Sequence, residues 1–487
     1  MGLSMTKSYA SRTLEVVRED LVMFINACLS CTGQREFYDD YNGQKVSLDF
    51  LHDYILGNYR LLYCRTLATG INHFNKIQII LKLLATGQKT IPEYRREENS
   101  LITATLHSLP PHRAWSLMLQ IRKQHINNSR ARAIVKYYIT SRSSKRLEFE
   151  AVKYRSKLQA IATHNHLKLE KELNSFLFRH WEKSFQTELF EQFRQGHYSA
   201  KAIYKLPFTI AEGLAEKHNI PRQVFLTQIE KQMTVHEKLR MQNSAEKAGV
   251  AIEIEANHLS LTKLALYILS LCLDTRQKRR DELHQAMQES ADSVLKRSAL
   301  QFGRVAAVLD RSYSSSGSSE KRRRPLGIAL AIHYLLRAAA KEYQAFWTVP
   351  ISEPLLVTPY GQSNLATPLL SALAWQPELV LIVSDGWEND PPAATSELLR
   401  VYRRKIDTKG QTSIIHCNPV FNADDFNLKQ LSSLIPTVGL REAEDLPIVV
   451  AFARFADGSA TLPELENYLA ICTNQMLKDN ILSLQKS

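Results

Sequence analysis

Apolar residues recur at three- and four-residue intervals through most of the first 300 positions. SLDFLHDYILGNYRLLYCRTL, AWSLMLQIRKQ, LNSFLFRHWEKSFQTELFEQFRQG and SLTKLALYILSLCL all carry this spacing. It is the pattern of an amphipathic helix that lays one face on its neighbours. The interruptions are short: Thr86-Gly87, Pro110-Pro111, Gly196, Pro207 and Pro221. Long helices with short connections and little strand signal predict paired helices, as in a HEAT-like solenoid of helical hairpins. No clean sequence repeat accompanies them, so any repeat is degenerate.

After about residue 300 the pattern changes. VAAVLD (305–310), YQAFWTV (343–349), ELVLIVSDG (378–386), TSIIHC (412–417) and LPIVVAFARF (446–455) are short, apolar and β-branched, and predict strands. PLGIALAIHYLLRAAAKEY, LATPLLSALAWQ, TSELLRVYRRKIDTKG and DDFNLKQLSSLIP predict helices between them. Strands alternating with helices give a parallel, doubly wound, Rossmann-like α/β sheet, whose ligands bind beyond the carboxyl ends of the strands. The expected division is therefore a helical module at 1–300 and an α/β domain at 301–487.

Three short pieces fall at that expected ligand edge. Asp310-Arg-Ser312-Tyr-Ser314 follows the first strand, Gly361-Gln-Ser363-Asn-Leu precedes a helix, and Ser384-Asp385-Gly386 ends the strand ELVLIV. Two carboxylates and three hydroxyls make an all-oxygen set of the kind Mg²⁺ or another hard divalent cation takes; with no His or Cys among them, Zn²⁺ fits poorly. Together the pieces resemble the metal-ion-dependent adhesion site of a von Willebrand factor A domain. The resemblance implies Asp310, Ser312, Ser314, Ser363 and Asp385 as ligands, with Ser363 standing where the family often has threonine. Thr367 falls four residues too late to replace it. Such a domain binds a partner through its cation and does not catalyse, and neither a P-loop nor a GxSxG is present, so no enzyme is expected. Lys321-Arg-Arg-Arg324, just beyond, reads as a solvated basic turn, with a phosphate contact as the alternative.

Charge sharpens the contrast between the halves. The chain of 487 residues has a net charge of +13. From residue 301 onward there are 18 Lys and Arg against 19 Asp and Glu, which leaves 44 against 30 in the first 300 residues. The excess suggests a polyanionic partner for the helical module. Its densest run holds Arg122, Lys123, Arg130, Arg132, Lys136, Arg142, Lys145, Arg146, Lys153, Arg155 and Lys157, opposed by Glu148 and Glu150 and interleaved with Tyr137, Tyr138, Phe149 and Tyr154. Cations bind phosphates and aromatic rings stack on unpaired bases, so Arg130, Arg132, Lys136, Arg142, Lys145, Arg146, Lys153, Arg155 and Lys157 are the candidate RNA contacts. With no DNA-reading motif in evidence, structured or single-stranded RNA is favoured over duplex DNA.

The six cysteines include one isolated pair, Cys28-Leu-Ser-Cys31, which reads as buried thiols and fits a reducing cytoplasm. His164-Asn-His166 has no third metal ligand in sight. No apolar run reaches the ~18 residues of a membrane span, and MGLSMTKSYASRTLEVVRED has no apolar signal core.

A helical array followed by a von Willebrand A domain resembles the TROVE-module family of Ro-type ring proteins. SCTGQREFYDDYNGQKVSLDFLHDYI, RARAIVKYYITSRSSKRLEFEAVKYRSKLQAI and LPFTIAEGLAEKHNIPRQVFLTQIEKQMTVHEKLRMQN are similar to its segments. The resemblance implies a ring of helical repeats joined by the A domain. It further implies binding of small non-coding RNA of the Y type and of single-stranded ends of misfolded RNA, in RNA surveillance or as a nuclease scaffold. The alternative is a protein-interaction adaptor that grips a partner through the metal.

Overall fold

A computed structural model describes residues 2–36, 41–86, 92–179, 184–250, 252, 254, 259–298 and 300–485. Gly87 and residues 180–183, parts of a predicted break and of a predicted helix, lie outside the described residues, as do residues 37–40 of the segment SCTGQREFYDDYNGQ. The chain forms two compact units. One holds residues 1–79 and 259–475, the other 80–258 and 476–487. The first strand begins at Phe302, and the unit that contains the sheet takes in residues 1–79 and 259–300 as well.

In chain order the helices before the sheet are α1 Gly2–Ser30, α2 Tyr41–Arg65, α3 His73–Ala85, α4 Pro92–Ser108, α5 Pro111–Lys123, α6 Ser129–Thr140 and α7 Ser144–Lys153. There follow α8 Arg155–His164, α9 Lys171–Arg179, α10 Glu188–Gly196, α11 Phe208–Lys217, α12 Arg222–Ile229 and α13 Val235–Lys247. Then come α14 Leu261–Ser270, α15 Leu273–Lys278 and α16 Arg280–Ser298. The prolines sit where a missing N–H costs nothing: Pro110, Pro207 and Pro221 are the N-caps of α5, α11 and α12.

Within the second unit, α5, α8, α11 and α13 end in the same turn. A left-handed residue (His125, His166, Asn219 or Gly249) is followed by an apolar one (Ile126, Leu167, Ile220 or Val250). The apolar residue's amide reaches back five positions to a helix carbonyl at 2.9–3.0 Å in all four. This is a Schellman stop, and its recurrence is the degenerate repeat that residue identities hide. The unit's interior is aromatic. Phe176 stacks on Phe190 with centroids 4.1 Å apart, and buried Trp115 donates its indole N–H to buried Glu150 at 2.8 Å.

The first unit is built on a five-stranded, all-parallel sheet in the order β2-β1-β3-β4-β5. The strands are β1 Phe302–Leu309, β2 Ala340–Trp347, β3 Leu379–Val383, β4 Ser413–Asn418 and β5 Thr437–Gly439. β3 is buried along its whole length, as a strand covered on both faces must be. The helices α17 Arg324–Ala339, α18 Ala366–Ala374 and α19 Ala394–Lys405 alternate with the first four strands, and α20 Leu446–Ala456 and α21 Leu462–Gln485 follow the sheet. From β1 the chain first goes to one neighbour and then to the other. The switch point therefore lies between the carboxyl ends of β1 and β3, which is where such sheets place their ligands.

Two expectations are corrected here. LPIVVAFARF is helix α20 and not a strand. Its buried residues, Leu446, Val449, Phe452, Ala453 and Phe455, keep a helical step, and Pro447 occupies the first turn; the run of Ile, Val and Val gave the strand signal. DDFNLKQLSSLIP forms no helix: it is an irregular loop before β5 with one isolated bridge between Asn422 and Asn427. Side-chain bonds hold it instead, Asn422 Nδ2 to Asp425 Oδ2 at 2.7 Å and Asn418 Nδ2 to the Lys429 carbonyl at 3.0 Å, the local competition that keeps Asx-rich segments out of helices.

α1 covers the β5 edge of the sheet. The Asn26 side chain accepts from Gly439 N at 3.2 Å and donates to the Thr437 carbonyl at 3.1 Å. A Cβ on Gly439 would lie 2.7 Å from the Asn26 carbonyl oxygen, so only glycine permits this approach. An otherwise open sheet edge is thus paired and closed by the first 30 residues.

Candidate metal centre and basic helical face

The Asp310 amide donates to the Val383 carbonyl at 3.0 Å, which fixes the end of β1 against that of β3. Beyond it the backbone turns so that Ser312 and Ser314 point inward and Tyr313 outward, 62% exposed. Asp310 Oδ1 accepts from Ser312 N at 2.8 Å and Oδ2 from Ser312 Oγ at 2.9 Å. Ser312 Oγ lies 3.1 Å from Ser314 Oγ and 2.9 Å from Ser363 Oγ. Ser363 also reaches Asp310 Oδ2 at 3.5 Å. Asp385 accepts from Trp387 N at 3.1 Å, and the neighbouring Ser314 hydroxyl favours its charged form. The structure thus brings Asp310, Ser312, Ser314, Ser363 and Asp385 into one buried cluster. Thr367 is exposed, outside it, with its amide donating to Asn364 Oδ1.

Surrounding groups hold the loops. Gly386 has φ +82°, and a Cβ there would lie 2.4 Å from the Lys429 carbonyl oxygen, so the glycine after Asp385 is required. Tyr313 N donates to the Gly361 carbonyl and Tyr360 N to the Arg311 carbonyl, which ties the first loop to the second. Three positioning residues lay outside the sequence motifs. Thr348 Oγ1, after β2, accepts from Arg311 N at 3.0 Å and approaches Asp310 Oδ1 at 3.4 Å. Glu388 accepts from Leu365 N, Ala366 N and Thr395 N, joining the second and third loops. Asn418 donates to the Asp385 carbonyl at 3.0 Å. Glu388 follows the serine-aspartate-glycine motif by two positions, but no spacing rule marks the other two.

Burial, and then the charge of Asp310, push the Asp385 carboxyl up to about 7; burial chiefly raises Asp310 as well. Two buried carboxylates disfavour one another's charge. Five oxygens, two of them anionic, match a hard dication, which would offset that repulsion. Among the described residues no group of three or more His, Cys, Asp and Glu side chains forms a metal site, so any ion here depends on the hydroxyls.

Lys321–Arg324 is a solvated turn only in part: Arg322 and Arg323 are exposed, whereas the two ends of the run are turned inward. Lys321 is buried and ion-paired with buried Glu36. Arg323 donates to the Leu269 carbonyl. Arg324 donates to the carbonyls of Pro419 at 2.6 Å and Arg441 at 3.0 Å. Lys321, Arg323 and Arg324 thus tie the loop to the rest of the sheet unit, and Arg322 stays in solvent. Cys28 and Cys31 are buried, burial raises both thiols, and the side chains of Asn72 and Asn75 bond their carbonyls.

The basic run separates into two sets. Arg132, Lys136, Lys145 and Arg146 are exposed. Arg130 is bound into the interior, to Glu98 Oε1 at 2.7 Å and Asn99 Oδ1 at 2.5 Å. Arg142 stacks over Tyr138 at 4.0 Å with its side chain only 4% exposed. Arg155 donates to the Leu177 carbonyl at 2.6 Å. Lys153 pairs with Glu237 at 3.4 Å and Lys157 donates to Ser116 at 2.8 Å. Of the two opposing acids, Glu150 is buried beneath Arg142, Arg146 and Trp115. The face is positive enough to depress its own cations. After burial, Arg142 and Arg146 lower His107 to about 4, and Lys123 lowers Lys157.

No family profile and no curated protein matches the chain in sequence. Its backbone matches the crystal structure of the Deinococcus radiodurans Ro (RSR) protein with a TM-score of 0.54 at 12% identity, over 91% of this chain and 100% of that one. The chain therefore shares, across nearly its whole length, the fold of a Ro protein.

Proposed function

We propose that this protein binds RNA through the helical unit 80–258. The observation that carries the reading is where the charge lies. The unit 80–258 with 476–487 holds 31 Lys and Arg against 18 Asp and Glu, a net of +13. The sheet unit holds 31 against 31. The whole excess of the chain thus falls in one unit, in a fold shared with a Ro protein. The ligands that fit are small structured non-coding RNA of the Y type and single-stranded ends of misfolded RNA, in RNA surveillance or as a scaffold for a nuclease. The role proposed is binding, not catalysis, in the cytoplasm. Separately, no helix among the described residues is long and apolar enough to cross a membrane. Mobility-shift titration over rising salt tests it. Affinity should fall at least tenfold between 50 and 200 mM salt, about the loss expected for several phosphate contacts. No RNA affinity at low salt would refute it.

A second reading concerns the sheet unit. Asp310, Ser312, Ser314, Ser363 and Asp385 would hold Mg²⁺ or a similar divalent cation, which supplies an open coordination position for a partner's carboxylate. Exposed Tyr313, Tyr360 and Trp387 beside the cluster favour a protein partner. Calorimetric Mn²⁺ titration of wild type against Asp310→Ala is decisive for the ligand set, which equal affinities would refute.

A further inference from the structure

A cavity of about 480 Å³ opens between α6 and the turn that follows α8. That is the size of a small-molecule site. Arg132, Lys136 and Lys168 line it, with His166 at the turn. Its apolar wall is Ile139, Leu167 and Leu169, and among the described residues that line it none is a carboxylate. Arg132, Lys136 and Lys168 are exposed, so their charges face solvent and incoming ligand rather than internal partners.

Two further observations describe the turn beside it. His166 is in the left-handed conformation, φ +50°, at the Schellman stop of α8, where glycine would sit without strain. Its exposed imidazole is held over the cavity at a backbone cost of roughly 1 kcal/mol. Beside it, the His164 Nε2 is buried without a partner. Burial, then the charges of Arg122, His125, His166 and Arg132, hold that imidazole below its ordinary value. The cavity's own lining is therefore positive, with the nearest carboxylates, Glu148, Glu170 and Glu172, on the adjoining cavity that shares Ile139, Lys168 and Leu169.

We infer that this cavity takes a phosphorylated nucleoside, its phosphate on Lys136, Lys168 and Arg132 and its base on the wall of Ile139, Leu167 and Leu169. The nucleotide is either free or an unpaired nucleotide of RNA; only the second source rests on the RNA reading. The test uses the full chain and adenosine 5′-monophosphate, with adenosine and inorganic phosphate alongside. The monophosphate should bind at least tenfold more tightly than either, and Lys136→Glu with Lys168→Glu should reduce that affinity at least tenfold. His166→Gly should weaken binding several-fold while raising the thermal midpoint, which separates loss of a contact from loss of fold. Displacement of the monophosphate by a short single-stranded RNA would mark the RNA-borne source, and its failure the free one. Monophosphate binding no tighter than phosphate, or indifferent to the lysine reversals, would overturn the inference. RNA binding that persists in that case leaves the RNA reading intact. Monophosphate binding in a protein with no RNA affinity would leave the cavity and remove the RNA reading.

Discussion

Two buried carboxylates that face each other cost free energy unless a proton or a cation lies between them. Asp310 and Asp385 are such a pair, and the proton solution is visible in the rise of Asp385 from its ordinary 3.8 to about 7. A group that holds its proton more tightly when folded loses stability as pH rises through that window, by at most about 1.4 kcal/mol per pH unit. His333 and His416 act oppositely. Burial holds both near 4 against an ordinary 6.5, so stability rises with pH between those values. Comparing wild type with Asp385→Asn in chelator isolates the aspartate: the wild type should lose stability relative to the variant between pH 4 and 7. Saturating Mg²⁺ should cancel that loss, with its affinity rising toward pH 7 as the competing proton leaves. Thermal midpoints across pH read both effects, and parallel profiles would discount the pair. The basic residues divide by the same reasoning. Arg130→Ala removes the ion pair to buried Glu98 and should cost about 3 kcal/mol by urea denaturation, whereas exposed Lys145→Ala should cost within 0.5 kcal/mol, a typical surface effect. From sequence the nine cations looked alike, because burial is decided by partners such as Glu98, Asn99 and the Leu177 carbonyl that lie elsewhere in the chain.

Among the elements, those read most directly from sequence were β1, β3 and β4, whose apolar runs are long enough and buried on both faces. The three metal-edge motifs were legible for the same reason: each follows or precedes an element with a strong pattern. α20 was misread because its β-branched residues lie on a helical step, and β5 was missed because three residues carry no period. The repeat in the helical unit escaped because it is a backbone event, written once as His125-Ile126, once as His166-Leu167, once as Asn219-Ile220 and once as Gly249-Val250. Only the last uses the residue the turn prefers. His125→Gly should therefore stabilise by about 1 kcal/mol in chemical denaturation. Unchanged or lowered stability would mean that this turn is not the strained element the backbone indicates. At the sheet edge the expectation has the opposite sign. Gly439→Ala sets a Cβ 2.7 Å from the Asn26 carbonyl and should destabilise the sheet unit by about 2 kcal/mol. Its thermal midpoint should fall accordingly.

At the scale of the whole molecule, the discontinuity of the sheet unit has a physical cause: α1 supplies the partner that the β5 edge would otherwise lack. Nothing in residues 1–30 announces this, since an amphipathic helix does not name the surface it covers. For the same reason the charge excess seemed to belong to the first 300 residues, when it belongs to the unit of 80–258 and 476–487. Residues 1–79 hold eight Lys and Arg and eight Asp and Glu, which balance. A polyanion should accordingly find one unit and ignore the other. Ultraviolet crosslinking of bound RNA to the intact protein, with the crosslinked peptides identified by mass spectrometry, measures this directly. The peptides should fall within 80–258 and concentrate around the exposed cations Arg132, Lys136, Lys145 and Arg146; crosslinks confined to 259–475 would contradict the assignment of RNA to the helical unit.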